Sequence, residues 1–335
     1  MSQEADVSMA PRGVGHTSSA LAAEAPARLG QLDQLSLRKQ RSLWGNAWRQ
    51  FRRHRLAMAG LVLIVFFILA AYIGTLLYPR TIDEIDFMRV DADPSLSYPF
   101  GTDSLGQDML ARILWGGRVS LAVGILAATV AILLGTAIGA TAGFFGGFTD
   151  SFLMRFTDMF ISLPQLPLLL LVSFLFTDRM REVFDEHFGN PNLGVFFLIV
   201  GVIAVLNWMP TARLVRASFL SLKEKEFVEA ARSIGATRST LMLKHILPNV
   251  LSPIIVAATL SVGSAIITES ALSFLGLGFP PDVPTWGTLL FQAKDIFQFH
   301  PHEALFPGMV IFLTVLAINY VGDGLRDALD PRKSQ

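Results

Sequence analysis

Six apolar runs alternate with polar stretches along the chain: about Leu56–Leu77, Val119–Phe145, Phe156–Phe176, Leu193–Trp208, Leu251–Leu275 and Ala304–Leu325. A hydrocarbon core of about 30 Å takes roughly 20 helical residues to cross, so each run is a candidate spanning helix. Leu56–Leu77 contains no charged residue, and the fourth run is the shortest, relying on its flanks to complete a span. The third carries Pro164 and Pro167. Proline removes a backbone donor and clashes with the preceding turn, which predicts a kink or a break there. In the second run Gly135, Gly139 and Gly143 repeat every fourth position. Such a face lets another helix backbone approach closely in lipid, and it is a packing signal only. The expected fold class is an all-α membrane protein, a polytopic bundle of six transmembrane helices.

A polar island, Ser221–Asn249, interrupts this pattern with the longest charged, helix-prone run between apolar segments. Ser221 and Glu224 have the spacing of a capping box, which predicts a helix starting at Ser221. Phe227, Ala230, Ala231 and Ile234 fall at i, i+3, i+4 and i+7, one narrow apolar face with two small residues at its centre. Gly235 stands where a left-handed turn ends a helix. A second short helix is expected over about Thr237–Ile246, running into Pro248. On the residues alone the island reads equally as a docking hairpin or as an amphipathic hairpin on the membrane surface.

Before the first run, Trp44, Trp48, Phe51 and Arg55 line up at helical spacing with Arg49, Arg52 and Arg53 nearby, the pattern of an interfacial helix. Residues 1–41 are rich in Ala, Ser, Gly and Gln and are read as a disordered cytoplasmic tail. The remaining divisions are 42–118 (interfacial helix, first span, outer loop), 119–325 (the core of five spans, with the loop at 221–249) and a cytoplasmic tail at 326–335.

Composition agrees with this picture: 52% of residues are hydrophobic, 16% are charged, and the mean hydropathy is +0.50. There is no cysteine, which excludes disulfides and thiolate chemistry. Net charge is zero, but its distribution is uneven. With the N-terminus inside, 20 of the 27 Lys and Arg fall in the inner segments and 7 in the outer loops. By the positive-inside rule, both termini and the island face the cytoplasm.

No glycine in the chain is followed by lysine, so a P-loop is absent and the chain is not its own P-loop ATPase. His300 and His302, with Glu303 adjacent, are the only close histidines; without further ligands nearby in sequence, no metal site is assigned. Intramembrane polar groups are costly and therefore informative. Asp158 and Asp323, at the inner ends of the third and sixth spans, read as interfacial caps or partners for Arg. Asn207 and Asn319 read as interhelical hydrogen-bond groups. Glu269 lies near the outer face and reads as an anchor or, with Phe274, as an outer-mouth gate. After Glu269 the stretch ALSFLGLGFPPDVPTWG is too apolar for a solvated loop, so it reads equally as a re-entrant element or as a helix end with a packed loop. No span holds an ionisable residue near its middle, which argues against a transporter or channel working without ATP.

EAARSIG followed by HILP resembles the EAA motif of ABC importer permeases, whose pattern is E-A-A, three residues, G, nine residues, I-x-L-P. Glu229, Ala230, Ala231, Gly235, Leu247 and Pro248 match it. His245, in place of the pattern's Ile, resembles the dipeptide/oligopeptide/nickel branch. So do Phe100–Leu121, the aromatic–Arg entry to the first span, Glu269–Gly287 and Gly322–Arg332. The resemblance covers roughly residues 42–332. It implies a type I ABC importer permease subunit of the cytoplasmic membrane in a bacterium or archaeon, forming half of a pathway for peptides or a related small solute. It implies a homologous second permease, two cytoplasmic ATPases and an extracytoplasmic solute-binding protein as partners, and no nucleic acid. No catalytic residue or bound cofactor is expected in this chain, with ATP and Mg used by the ATPases. The six EAA-motif residues are the implied coupling site, with Ser221–Ile234 as the coupling helix, Glu229 pairing with a cation in the ATPase cleft and Ala230 and Ala231 allowing close approach. His245 is expected to hydrogen-bond locally, without a catalytic role.

Overall fold

The computed structural model describes residues 43–329; the tail expected at 1–41 lies outside the described residues, as do 330–335. Contacts divide the chain after Asn46, and of the first unit only 43–46 are described, as the opening turn of α1 (Leu43–Arg53). The described residues are helical apart from loops and two isolated bridges.

Helix α1 ends at His54, whose ring Nδ1 accepts the Ala57 amide at 3.1 Å and caps α2 (Arg55–Leu77). Trp48 and Phe51 stack at 5.8 Å, but only Phe51 is buried, against Ala57 and Ala328. The segment 78–108 is a folded connection between α2 and the next helix. Tyr98 lies under the Arg80 guanidinium at 3.9 Å, and the Tyr78 hydroxyl donates to Asp108 at 2.7 Å. Burial and that hydrogen bond push the Tyr78 phenol well above its ordinary pKa. Asp108 caps α3 (Met109–Phe145) by accepting from Ala111 N at 3.0 Å, so the second helix begins earlier than the apolar run at Val119. The extra turns are held by polar contacts that hydropathy does not register: Arg112 pairs with Asp103, both buried, and Arg118 Nε donates to the Ala71 carbonyl at 2.8 Å.

The third run is broken as the prolines require. Helix α4 (Gly147–Ser162) and α5 (Gln165–Phe188) meet at 82°. Leu163, which precedes Pro164, is extended at ψ 135, the conformation that a following proline favours. The fourth run is also bent, by 43°, between α6 (Pro191–Val205) and α7 (Met209–Leu222), with Pro210 in the first turn of α7. Thus the six spans expected resolve into four helices long and apolar enough to cross a membrane (α2, α3, Arg238–Phe274 and Pro301–Leu329) and two bent pairs, which make six if each pair is one span.

Helix α3 is the centre of the bundle, and its glycines set how closely α7 packs on it. A Cβ on Gly139 would lie 2.3 Å from the Ala212 carbonyl oxygen, and one on Gly135 would lie 2.6 Å from that of Trp208. The tandem glycine face therefore packs as its spacing predicts. Its partner, α7, is a helix the hydropathy pattern did not mark. Glu226–Ser233 forms α8, Arg238–Phe274 forms α9, Trp286–Ala293 forms the short α10 and Pro301–Leu329 forms α11.

Candidate functional site

The island folds differently from the hairpin its sequence predicts. Ser221 and Leu222 are the last residues of α7, so Ser221 starts no helix and the Ser221–Glu224 capping box does not form. The chain breaks at Lys223–Lys225 instead. Lys225 is extended at φ −82, ψ 148, and α8 begins at Glu226 without a side-chain cap. Glu226 and Glu229 lie in its first turn, where carboxylates suit the positive end of the helix dipole.

Helix α8 ends in a Schellman motif. The Ala236 amide donates to the Ala231 carbonyl at 3.1 Å, the Gly235 amide to the Arg232 carbonyl at 3.0 Å, and Gly235 sits at φ +88. Nothing lies within 4 Å of a Cβ added at Gly235, so conformation rather than space selects glycine. Thr237 then caps α9, accepting from the Thr240 amide. Helix α9 does not stop at Pro248: residues Leu241–Ile246 form a wide π turn, and Leu247 N bonds back to Met242 O. That wide turn takes up the register change at the proline, so the expected second short helix is the first part of the helix that contains the fifth apolar run. His245 is half-buried, and its carbonyl accepts from Asn249 Nδ2 at 2.6 Å; the local hydrogen bond expected of it is made by its backbone.

The four EAA-motif residues Glu229, Ala230, Ala231 and Gly235 gather on α8 and its turn; Leu247 and Pro248 follow on α9. The apolar face of α8 differs from the predicted one. Val228 and Ala231 are buried at 0% and 6% exposure, while Phe227, Ala230 and Ile234 are exposed, Ile234 to 87%. Ala231 and Val228 pack into a core with Ala140 of α3, Phe219 of α7 and Ile246 and Val250 of α9. The outer face therefore presents Glu229, Ala230 and Ile234 side by side, and the Glu229 carboxylate takes no ion pair among the described residues. Val228 was missed from sequence because a face centred on the two alanines is read without knowing which side meets the bundle.

Two ion pairs brace the same region. Arg216 Nη2 donates to Asp150 at 2.6 Å, and Arg213 pairs with Asp158 at 2.5 Å, linking α7 to α4. Asp158 thus has the arginine partner expected of it. Asp323 is exposed and takes no ion pair among the described residues. Asn207, in the turn after α6, donates back to Ile203 O of that helix at 2.8 Å rather than to another span.

At the other end of α9, Glu269 is fully buried. Its carboxylate accepts from Ser120 Oγ of α3 at 3.2 Å and from Ser273 Oγ at 2.8 Å. Ser120 in turn accepts the Trp286 amide at 3.2 Å, and the Trp286 indole donates to Ile113 O at 3.1 Å. Glu269 therefore anchors α3, α9 and α10 to one another, whereas Phe274, grouped with it in sequence, is 42% exposed. The stretch after Glu269 is a helix end, a packed turn and α10, with Phe279, Val283 and Leu289 buried.

Residues 131–335 match the family described as binding-protein-dependent transport system inner membrane component, and residues 42–96 match the N-terminal TM domain of oligopeptide transport permease C. The chain is 40% identical over 294 residues to the oligopeptide transport system permease protein OppC of Haemophilus influenzae, covering 87% of this chain and 89% of that protein. It is 38% identical to the glutathione transport system permease protein GsiD of Pectobacterium atrosepticum, covering 91% and 97%. It is 36% identical to OppC of Bacillus subtilis, covering 92% and 95%.

Proposed function

The chain belongs to the family of binding-protein-dependent transport system inner membrane components, as a multi-pass ABC transporter permease subunit that is not itself an enzyme, and from that premise we infer how it couples transport to ATP. It forms half of a translocation pathway with a homologous second permease. Two cytoplasmic ABC ATPases dock on its inner face, using ATP and Mg, and an extracytoplasmic solute-binding protein delivers cargo. Both termini and α8 lie in the cytoplasm.

Helix α8 is the coupling helix. The observation that carries this reading is its division into two faces: Val228 and Ala231 are buried in the core formed by α3, α7 and α9, while Glu229, Ala230 and Ile234 face outward. A force applied to the outer face by a moving ATPase reaches three helices of the bundle at once through that core. Glu229 offers a charge to a basic group in the ATPase cleft, and Ala230 permits close approach. The Schellman turn at Gly235 and the wide turn before Leu247 and Pro248 hold α8 at a fixed angle to α9.

The cargo is a short peptide. Support comes from relatives named for oligopeptide and glutathione transport, and glutathione is itself a modified tripeptide. ATP-dependent uptake of a labelled peptide library by the reconstituted importer tests this. Uptake of peptides alone supports the reading, and uptake of only a non-peptide solute opposes it.

A further inference from the structure

We propose that Asp93, His300 and His302 form a binding site for one divalent transition cation of the zinc class, clamping the 78–108 connection to the start of α11. In sequence only the two histidines are close. The structure brings a third group from 207 positions away: the ligand atoms of Asp93, His300 and His302 all lie within 4.8 Å of one another. His300 precedes α11 and His302 lies in its first turn, separated by Pro301, and their rings stand at 87° with centroids 6.0 Å apart. Asp93 comes from the connection between α2 and α3, a different part of the chain.

These groups do not satisfy each other as they stand. His302 Nδ1 and Asp93 Oδ1 are 3.8 Å apart, beyond hydrogen-bond range. His300 Nδ1 and His302 Nε2 are both buried and without a hydrogen-bond partner, and His302 is 9% exposed. Two imidazole nitrogens and one carboxylate oxygen are a borderline donor set, suited to Zn²⁺, Co²⁺ or Ni²⁺ and poor for Mg²⁺ or Ca²⁺. Donors around a tetrahedral zinc stand about 3.3 Å apart, so closing the site takes a small move, and the Asp93 side chain, 89% exposed, is free to make it. Three protein ligands leave the fourth position to water.

A cation at the positive end of a helix needs compensating charge. Asp93 supplies one, and the Asp91 carboxylate lies near His302 and Glu303. Glu303 and Asp91 each keep one buried oxygen without a hydrogen-bond partner. Close by, Phe100 stacks on Phe306 at 4.0 Å, so the ion adds a second fastening between the same two parts of the chain.

The full-length chain, prepared without a polyhistidine tag and stripped with EDTA, is titrated with CoCl₂ and with ZnCl₂. The expected result is one tight equivalent, a tetrahedral Co²⁺ visible spectrum, a rise in thermal stability with Zn²⁺ and no such rise with MgCl₂. Asp93→Ala, at an exposed position that folding does not require, and His302→Ala each weaken Zn²⁺ at least 10-fold. Absence of binding by the unaltered chain overturns the proposal. So does undiminished binding by Asp93→Ala, since the ion then sits elsewhere.

Discussion

Ala230 and Ala231 are neighbours in sequence but lie on different faces of α8: Ala231 is 6% exposed in a core with Phe219 and Ile246, while Ala230 is on the open side. Two residues that look interchangeable in the EAA motif therefore differ: one fixes the helix to the bundle, and the other is open to the ATPase contact proposed above.

That division separates stability from coupling. Ala231→Leu overpacks the core and costs about 1–3 kcal/mol, lowering the melting temperature of the detergent-solubilised chain. Ala230→Leu leaves that temperature within error and lowers ATPase co-purification and uptake. Equal melting losses for both variants count against the two-faced helix.

Gly235 at φ +88 is a conformational requirement with open space around it. Gly235→Val costs about 1–3 kcal/mol of backbone strain and abolishes transport and ATPase co-purification while membrane insertion survives. Within this chain the loss is strain rather than bulk, so Gly235→Asn, which tolerates the left-handed region, keeps substantially more uptake than Gly235→Val. Normal uptake by Gly235→Val opposes the proposed turn.

Glu269 holds α3 against the end of α9 through Ser120 and Ser273. Glu269→Leu leaves those hydroxyls buried without their acceptor, at about 1–3 kcal/mol, and lowers thermal stability in detergent. Glu269→Gln keeps an acceptor oxygen and lowers it less. Unchanged stability with slowed uptake for Glu269→Leu points to a gate instead of an anchor.

Much of the bundle is legible in the sequence because apolar run length and proline position act locally. Pro164 foretells the 82° break, and the glycines at 135, 139 and 143 foretell a close helix contact. What they do not name is the partner. Helix α7 carries Arg213 and Arg216, which look polar until they meet Asp158 and Asp150 from far earlier in the chain. The same limit hides Asp93 from His302. The Ser221 capping box fails for a local reason: Ser221 stays in the α7 helix, whose inward residue Phe219 is buried in the core. Packing of that face outweighs a cap.

The most direct test of coupling through α8 uses the absence of cysteine from the chain. A single cysteine at Ala230 is labelled with a photocrosslinking maleimide in the assembled importer. Coupling through α8 predicts a crosslink to the ATPase subunit whose yield changes when ATP is added, and none from a cysteine placed at exposed Leu96 between α2 and α3. A probe at Ala230 that crosslinks only to lipid or detergent, with or without ATP, contradicts it.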